Sequence, residues 1–249
     1  MFERQAYLLA GPTASGKSSI AATLAREMHA RILSADSMLV YRGMDVGTAK
    51  PSLEERREFN MGGVDIVTPA EEFSSGAWLR AAAHWAKNIP ASEPIIIVGG
   101  TGLYFSALLR GLDRKWEKPA PAYPVIQIDR AILRERIKAR LDEMFLSGLE
   151  EENARLHKLY PQWSRTASLA IGYRAGDTKE KIFIRTCQLA KRQDTWFRHQ
   201  ATPLYVAPTV DAVRQCWKTH GPWEVRFDEQ AETQTRDTLS PDLRGTRHR

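Results

Sequence analysis

Cysteine is scarce in this 249-residue chain: Cys187 and Cys216 stand alone, without metal-type spacing or a partner set. That excludes a disulfide framework and points to a reduced, cytoplasmic setting. Long apolar runs are missing as well. None reaches the roughly 18–20 residues that a membrane-spanning helix needs, so no membrane partner is expected. The first ten residues lack the basic lead and small-residue cleavage site of a secretory signal, and they read as a first strand. Internal repeats are absent. Acidic residues are the minority charge, 30 against 36 Lys+Arg, for a net +6. Such an excess suits a nucleic acid or a polyphosphate metabolite, or is simply a basic surface.

What is present is ordinary globular material, 43% hydrophobic and 27% charged, enough to bury a core. Residues 6–10, 31–35 and 94–98 read as short buried strands. Residues 17–29 carry Ile20, Leu24 and Met28 at helical spacing, and 76–88 is a second helical pattern. Strands alternating with helices imply a central parallel sheet with helices on both faces. Residues 113–124 are charged and proline-rich and read as a surface connection. A strand is expected at 125–128. One long helix is expected at 130–158, with Leu133, Ile137, Leu141, Phe145 and Leu149 on one face. A further helix covers 178–200, where six Lys/Arg face only Glu180 and Asp194. The end, 226–249, is polar and aperiodic and reads as a disordered tail, leaving 1–225 as one domain that acts as a monomer.

The strongest motif is Gly11, Pro12, Thr13, Ala14, Ser15, Gly16, Lys17 and Ser18. It fits the P-loop pattern of Gly, four residues, then Gly-Lys-Ser/Thr, between a strand and a helix. Its backbone amides and helix start cradle phosphate oxygens; Lys17 adds a charge, and the Ser18 hydroxyl can hold Mg²⁺. Phosphoryl-transfer enzymes also place an acid at the end of a nearby strand. Here that strand runs into Val98-Gly99-Gly100-Thr101-Gly102 without a carboxylate, so the loop is expected to hold a diphosphate that leaves. Asp36 follows the second strand at the ligand-binding edge of the sheet. Alone it reads as a helix cap, a magnesium ligand or a general base.

Four blocks in order closely resemble the tRNA dimethylallyltransferases, or isopentenyl-tRNA transferases: GPTASGKS at 11–18, SADSMLVYRGMDVGTAKP at 34–51, VGGTGLYFSALLRGL at 98–112 and QLAKRQDTWFR at 188–198. RIKARLDEMFLSG at 136–148 and AIGYR at 170–174 are shorter echoes. The resemblance implies a P-loop fold of three layers and transfer of a dimethylallyl group from dimethylallyl diphosphate to the exocyclic amine of adenine. The implied acceptor is the adenosine after the anticodon of tRNA. Asp36 would deprotonate the amine, while Thr101 and Arg140 would hold the diphosphate with the P-loop. Ser37, Met38 and Leu39, and Gly172, Tyr173 and Arg174, correspond to positions that approach the nucleic acid.

Chemistry independent of the resemblance agrees. An aromatic amine is a weak nucleophile that needs positioning and a base, and diphosphate leaves more readily when its charge is stabilised. Taken alone, Arg140 reads as a solvated helix position beside Arg134, Arg136 and Lys138. Lys191, Arg192, Trp196 and Arg198 read either as a nucleic-acid stripe or as cations around a core of Leu189, Trp196 and Phe197.

The chain departs from the family pattern after Gly111-Leu112. There the family usually inserts a helical module that embraces the anticodon stem, and only 113–124 stands in its place. Cys187 replaces a usual arginine. The departure leaves a second acceptor open, a free adenine nucleotide (AMP, ADP or ATP), and beyond it a P-loop kinase of a small metabolite.

Overall fold

The structure is a computed structural model that describes residues 1–112, 122–200 and 203–231. Its centre is a sheet whose strands β1 (Phe2–Ala10), β2 (Arg31–Ala35), β3 (Ile95–Gly99), β4 (Tyr123–Ile126) and β5 (Pro203–Val206) run parallel in the order β2-β3-β1-β4-β5. Between them lie α1 (Lys17–Met28), α2 (Leu53–Glu58), α3 (Ser75–Lys87), α4 (Gly102–Arg110), α5 (Arg130–Leu146), α6 (Leu149–Leu159) and α7 (Lys179–Arg198). After β5 come α8 (Val210–His220) and β6 (Trp223–Phe227).

Alternation along the strands sorts the core into two layers. Leu8, Leu33, Ile95 and Ile97 point to the face covered by α3 and α4. Leu9, Ile32, Ile96 and Val98 point to the face covered by α1 and α8. An indole on each side is tied to the sheet: Trp78 Nε1 donates to the Ser34 carbonyl at 3.0 Å, and Trp217 Nε1 to the Leu8 carbonyl at 3.0 Å. The expected three-layer P-loop architecture is therefore present.

Several boundaries differ from expectation. The long helix of 130–158 is two helices, because the chain turns at Ser147 and Gly148. Gly148 sits at φ 90°, a left-handed conformation that glycine adopts without strain. The strand expected at 125–128 begins earlier, so Tyr123 and Pro124 belong to β4 and not to a linker; residues 113–121 lie outside the described residues. Pro124 is tolerated because β4 meets β1 only at Ala10 and Val125. The end of the chain carries two more strands than expected, β5 and β6. Trp223-Glu224-Val225-Arg226-Phe227 alternates with period two and pairs antiparallel with the first half of β1, from Ala6↔Trp223 to Phe2↔Phe227. Arg226 and Phe227 thus lie in the sheet, not in a tail, and residues 232–249 lie outside the described residues. No helix among the described residues is long and apolar enough to cross a membrane.

Candidate active site

The carboxyl ends of β1, β3 and β2 lie side by side, and three loops leave them toward one cavity of about 490 Å³. The loop after β1 is the P-loop. Gly16 closes it at φ 91° and Lys17 opens α1. The Lys17 side chain is buried, and its Nζ donates to the Pro12 carbonyl at 3.2 Å. Burial holds its pKa down to about 8; Asp36 opposes that shift and Arg140 adds to it. Ser18 is exposed on the cavity wall.

Asp36 leaves β2 at the same edge. One carboxylate oxygen accepts from the Met38 amide at 2.9 Å, a local turn that fixes the side chain, and the carboxylate borders the cavity. From the loop after β3, the Thr101 hydroxyl accepts from the Ser37 amide at 2.9 Å, and the Thr101 amide donates to the Ala35 carbonyl at 3.1 Å. The β2 and β3 loops are thereby stitched together.

Helices from the second half of the chain close the cavity. Arg140 on α5 is no solvated surface residue. Its Nη1 donates to Thr13 Oγ1 at 3.1 Å and its Nη2 to the Thr48 carbonyl at 3.1 Å, while its Nε is buried without a partner. Burial lowers its pKa, against the pull of Asp36 and Glu143. Arg136, one turn earlier, donates to the Ser15 carbonyl at 3.2 Å. Apolar wall is supplied by Leu141 and Met144 of α5 and Leu189 and Trp196 of α7.

Most residues singled out from sequence meet here. Thr13, Ala14, Lys17 and Ser18 border the cavity, as do Asp36, Ser37, Met38, Leu39 and Thr101. Arg140, Gly172, Arg174 and Arg192 complete the ring. Gly11, Ser15 and Gly16 form the back of the P-loop. Pro12 and Lys191 lie on another cavity, beside Asp129 and Arg134, since one residue step on α7 turns Lys191 away from Arg192. Tyr173 is fully buried, and its hydroxyl bonds Glu152 rather than facing the cavity. Trp196 and Arg192 border the cavity while Phe197 is core, so α7 contributes to both.

Three contributors were not singled out. Gln193 accepts from the Thr13 amide at 2.8 Å and donates to the Gly100 carbonyl at 3.0 Å, clamping the β1 loop to the β3 loop. It lies within the 188–198 block, between the cations Arg192 and Arg198. Thr48 supplies the carbonyl that orients Arg140. Glu152 hid in a run of three glutamates, although its spacing from Leu149 and Leu156 puts it on their apolar face.

Comparison with known proteins fits this geometry. The family model described as IPP transferase matches in two overlapping pieces, residues 39–124 and 115–200. The tRNA dimethylallyltransferase of Nautilia profundicola is 32% identical over 275 aligned residues, covering 81% of this chain and 95% of that protein. That of Acidithiobacillus ferrooxidans is 30% identical over 286 residues, with 83% and 91% covered. The crystal structure of the tRNA isopentenylpyrophosphate transferase of Bacillus halodurans shares the fold at a TM-score of 0.73 and 24% identity, covering 87% of this chain and 94% of its own. Both sequence alignments are longer than the chain's own 249 residues, so those relatives contain stretches without a counterpart here. The two matched pieces overlap at residues 115–124, within the short stretch that follows Gly111-Leu112. Matched from residue 39 to residue 200, and covering more than nine-tenths of each of those two relatives, this chain belongs to the IPP transferase family.

Proposed function

We propose that the protein transfers a dimethylallyl group from dimethylallyl diphosphate to the exocyclic amine of an adenine in tRNA, releasing diphosphate. One observation carries the reading: separate elements bring a single carboxylate, Asp36, a buried cation, Lys17, and a half-buried one, Arg140, onto one cavity with an apolar wall. The P-loop amides, Lys17 and Arg140 bind the diphosphate. As the allylic C–O bond breaks, its electron pair leaves with the diphosphate, whose charge these groups stabilise. The amine nitrogen forms the new C–N bond, and Asp36 takes the proton it sheds. The apolar wall receives the prenyl chain and excludes water from the allylic carbon.

Mg²⁺ fits the residues present. The Ser18 hydroxyl and the Asp36 carboxylate both border the cavity, and no group of three His, Cys, Asp or Glu among the described residues forms an all-protein cage. That donor set suits an ion held largely by diphosphate oxygens and water. When bound, it would neutralise diphosphate charge.

A second reading, the same transfer to a free adenine nucleotide, is favoured by the shortened stretch at 113–124. One assay decides between them. Labelled dimethylallyl diphosphate and Mg²⁺ are offered with unmodified tRNA, or with AMP, ADP or ATP. Label in tRNA is the expected result. Label in a free nucleotide alone moves the acceptor to the small molecule, and label in none removes the proposed transfer.

A further inference from the structure

The buried carboxylate of Glu152 has no role in the transfer described above, yet it is the most heavily hydrogen-bonded acid near the site. It accepts from the backbone amides of Asp45 at 3.1 Å, Val46 at 3.0 Å and Gly47 at 3.3 Å, and from the Tyr173 hydroxyl at 2.5 Å. The Tyr173 hydroxyl in turn accepts from the Gly47 amide at 3.0 Å. Three consecutive amides converging on one anion form a backbone nest. Here the anion is supplied by the protein's own α6.

The nest is built to close tolerance. A side chain at position 47 would place its Cβ 2.6 Å from the Tyr173 ring, so only glycine lets the loop lie on the tyrosine. The next residue, Thr48, offers its carbonyl to Arg140 Nη2, and Arg140 Nη1 reaches Thr13 in the P-loop. The Thr48 hydroxyl donates back to the Met44 carbonyl at 2.6 Å, which closes the loop on itself. A continuous path therefore runs from α6 through the 45–48 loop to the guanidinium that faces the cavity.

We infer that Glu152 and Tyr173 are positioning residues that hold the 45–48 loop so that the Thr48 carbonyl aims Arg140 at the donor diphosphate. The inference rests on the proposed function, in which Arg140 grips that diphosphate. Without the carboxylate, the part-buried amides of Asp45 and Val46 lose their acceptor and that of Gly47 keeps only the Tyr173 hydroxyl; the loop lifts from α6, and Arg140 loses one of the two bonds that orient it. Glutamine at position 152 is not an adequate substitute, because its NH₂ would face donors.

The test is a double-mutant cycle on the full chain, with dimethylallyl diphosphate as the varied substrate. Glu152→Gln is expected to raise the KM for dimethylallyl diphosphate by about tenfold, with the KM for the adenine acceptor unchanged. In the Arg140→Ala background the same substitution is expected to change neither constant. Tyr173→Phe, which removes one hydroxyl and leaves the ring packing, should show the same pattern at smaller size, and it carries the test if Glu152→Gln fails to fold. Fold losses that multiply in the double variants, or an acceptor KM that rises with the donor KM, overturn the inference while leaving Arg140's grip intact. A donor KM unmoved by Arg140→Ala overturns that grip, and the positioning role falls with it.

Discussion

The site is made of two halves that are built differently. The first half of the chain presents chemistry at strand ends: the P-loop, Asp36 and Thr101 sit one to eight residues beyond buried strands and are held by short loops and neighbouring backbone bonds. The second half holds that chemistry from outside. Arg140, Gln193, Glu152 and Tyr173 reach it with side chains from three helices and a loop, across sequence separations of 92 to 180 residues. The difference teaches that reactive groups and their orientation come from different parts of the sequence, and they should fail in different ways.

The sharpest way to separate them is Asp36→Ala. It removes the proton acceptor from the strand-edge half, and kcat is expected to fall by about 10²–10⁴-fold. Donor affinity, measured by titration calorimetry with dimethylallyl diphosphate, should stay near that of the unaltered protein. A variant that binds donor poorly would mean that Asp36 belongs to the grip instead. Its counterpart in the holding half is Gln193→Ala, which leaves the Thr13 amide and the Gly100 carbonyl without their bridge. A cost of about 1–3 kcal/mol is expected, read as a melting temperature lower by several degrees, together with a raised donor KM and little change in a chemical step measured at saturation. An unchanged melting temperature would break the division.

The pH response bears on the strand-edge half alone. Lys17, held near pKa 8 by burial, is charged below that pH and loses its proton above it. A bound diphosphate stabilises the charged form and raises the pKa. Between 8 and the raised value donor binding therefore takes up a proton, and Kd climbs by up to about tenfold per pH unit. Below pH 8 this contribution to affinity is fully present. Lys17→Arg keeps its charge throughout and should flatten that climb; a profile that still rises would assign the titration elsewhere.

The smallest expected effect distinguishes two neighbours on α7. Arg192 borders the site cavity and Lys191 does not. Arg192→Ala should weaken tRNA binding a few-fold and lower its salt dependence by about one counterion. Lys191→Ala should leave both unaltered. Equal effects would make the whole α7 stripe an electrostatic surface without a preferred face.

Much of the strand-edge half was legible from sequence because its signals are local. A glycine-rich turn, a lysine and a buried strand must adjoin to make a P-loop, so the motif and its geometry coincide. Where local signals misled, a physical reason is plain. Pro124 read as a linker residue because prolines usually leave sheets, yet β4 touches β1 through a single residue pair. The Ser147-Gly148 turn was hidden inside a pattern of apolar residues that continues across it. Tyr173 lay in a block tied to nucleic acid, but an aromatic ring packed over a glycine backbone leaves the surface whichever block it belongs to.

The sequence by itself determined the fold class, the phosphate-gripping loop, the lone carboxylate at the sheet edge and the family, since each depends on residues adjacent in the chain or arranged with a fixed period. Only the tertiary structure decided which cations face the cavity, which glutamate is buried, and how Arg140 is aimed. Those outcomes depend on packing between helices distant in sequence, where one residue step around α7 or one glycine under a tyrosine settles which side chains meet.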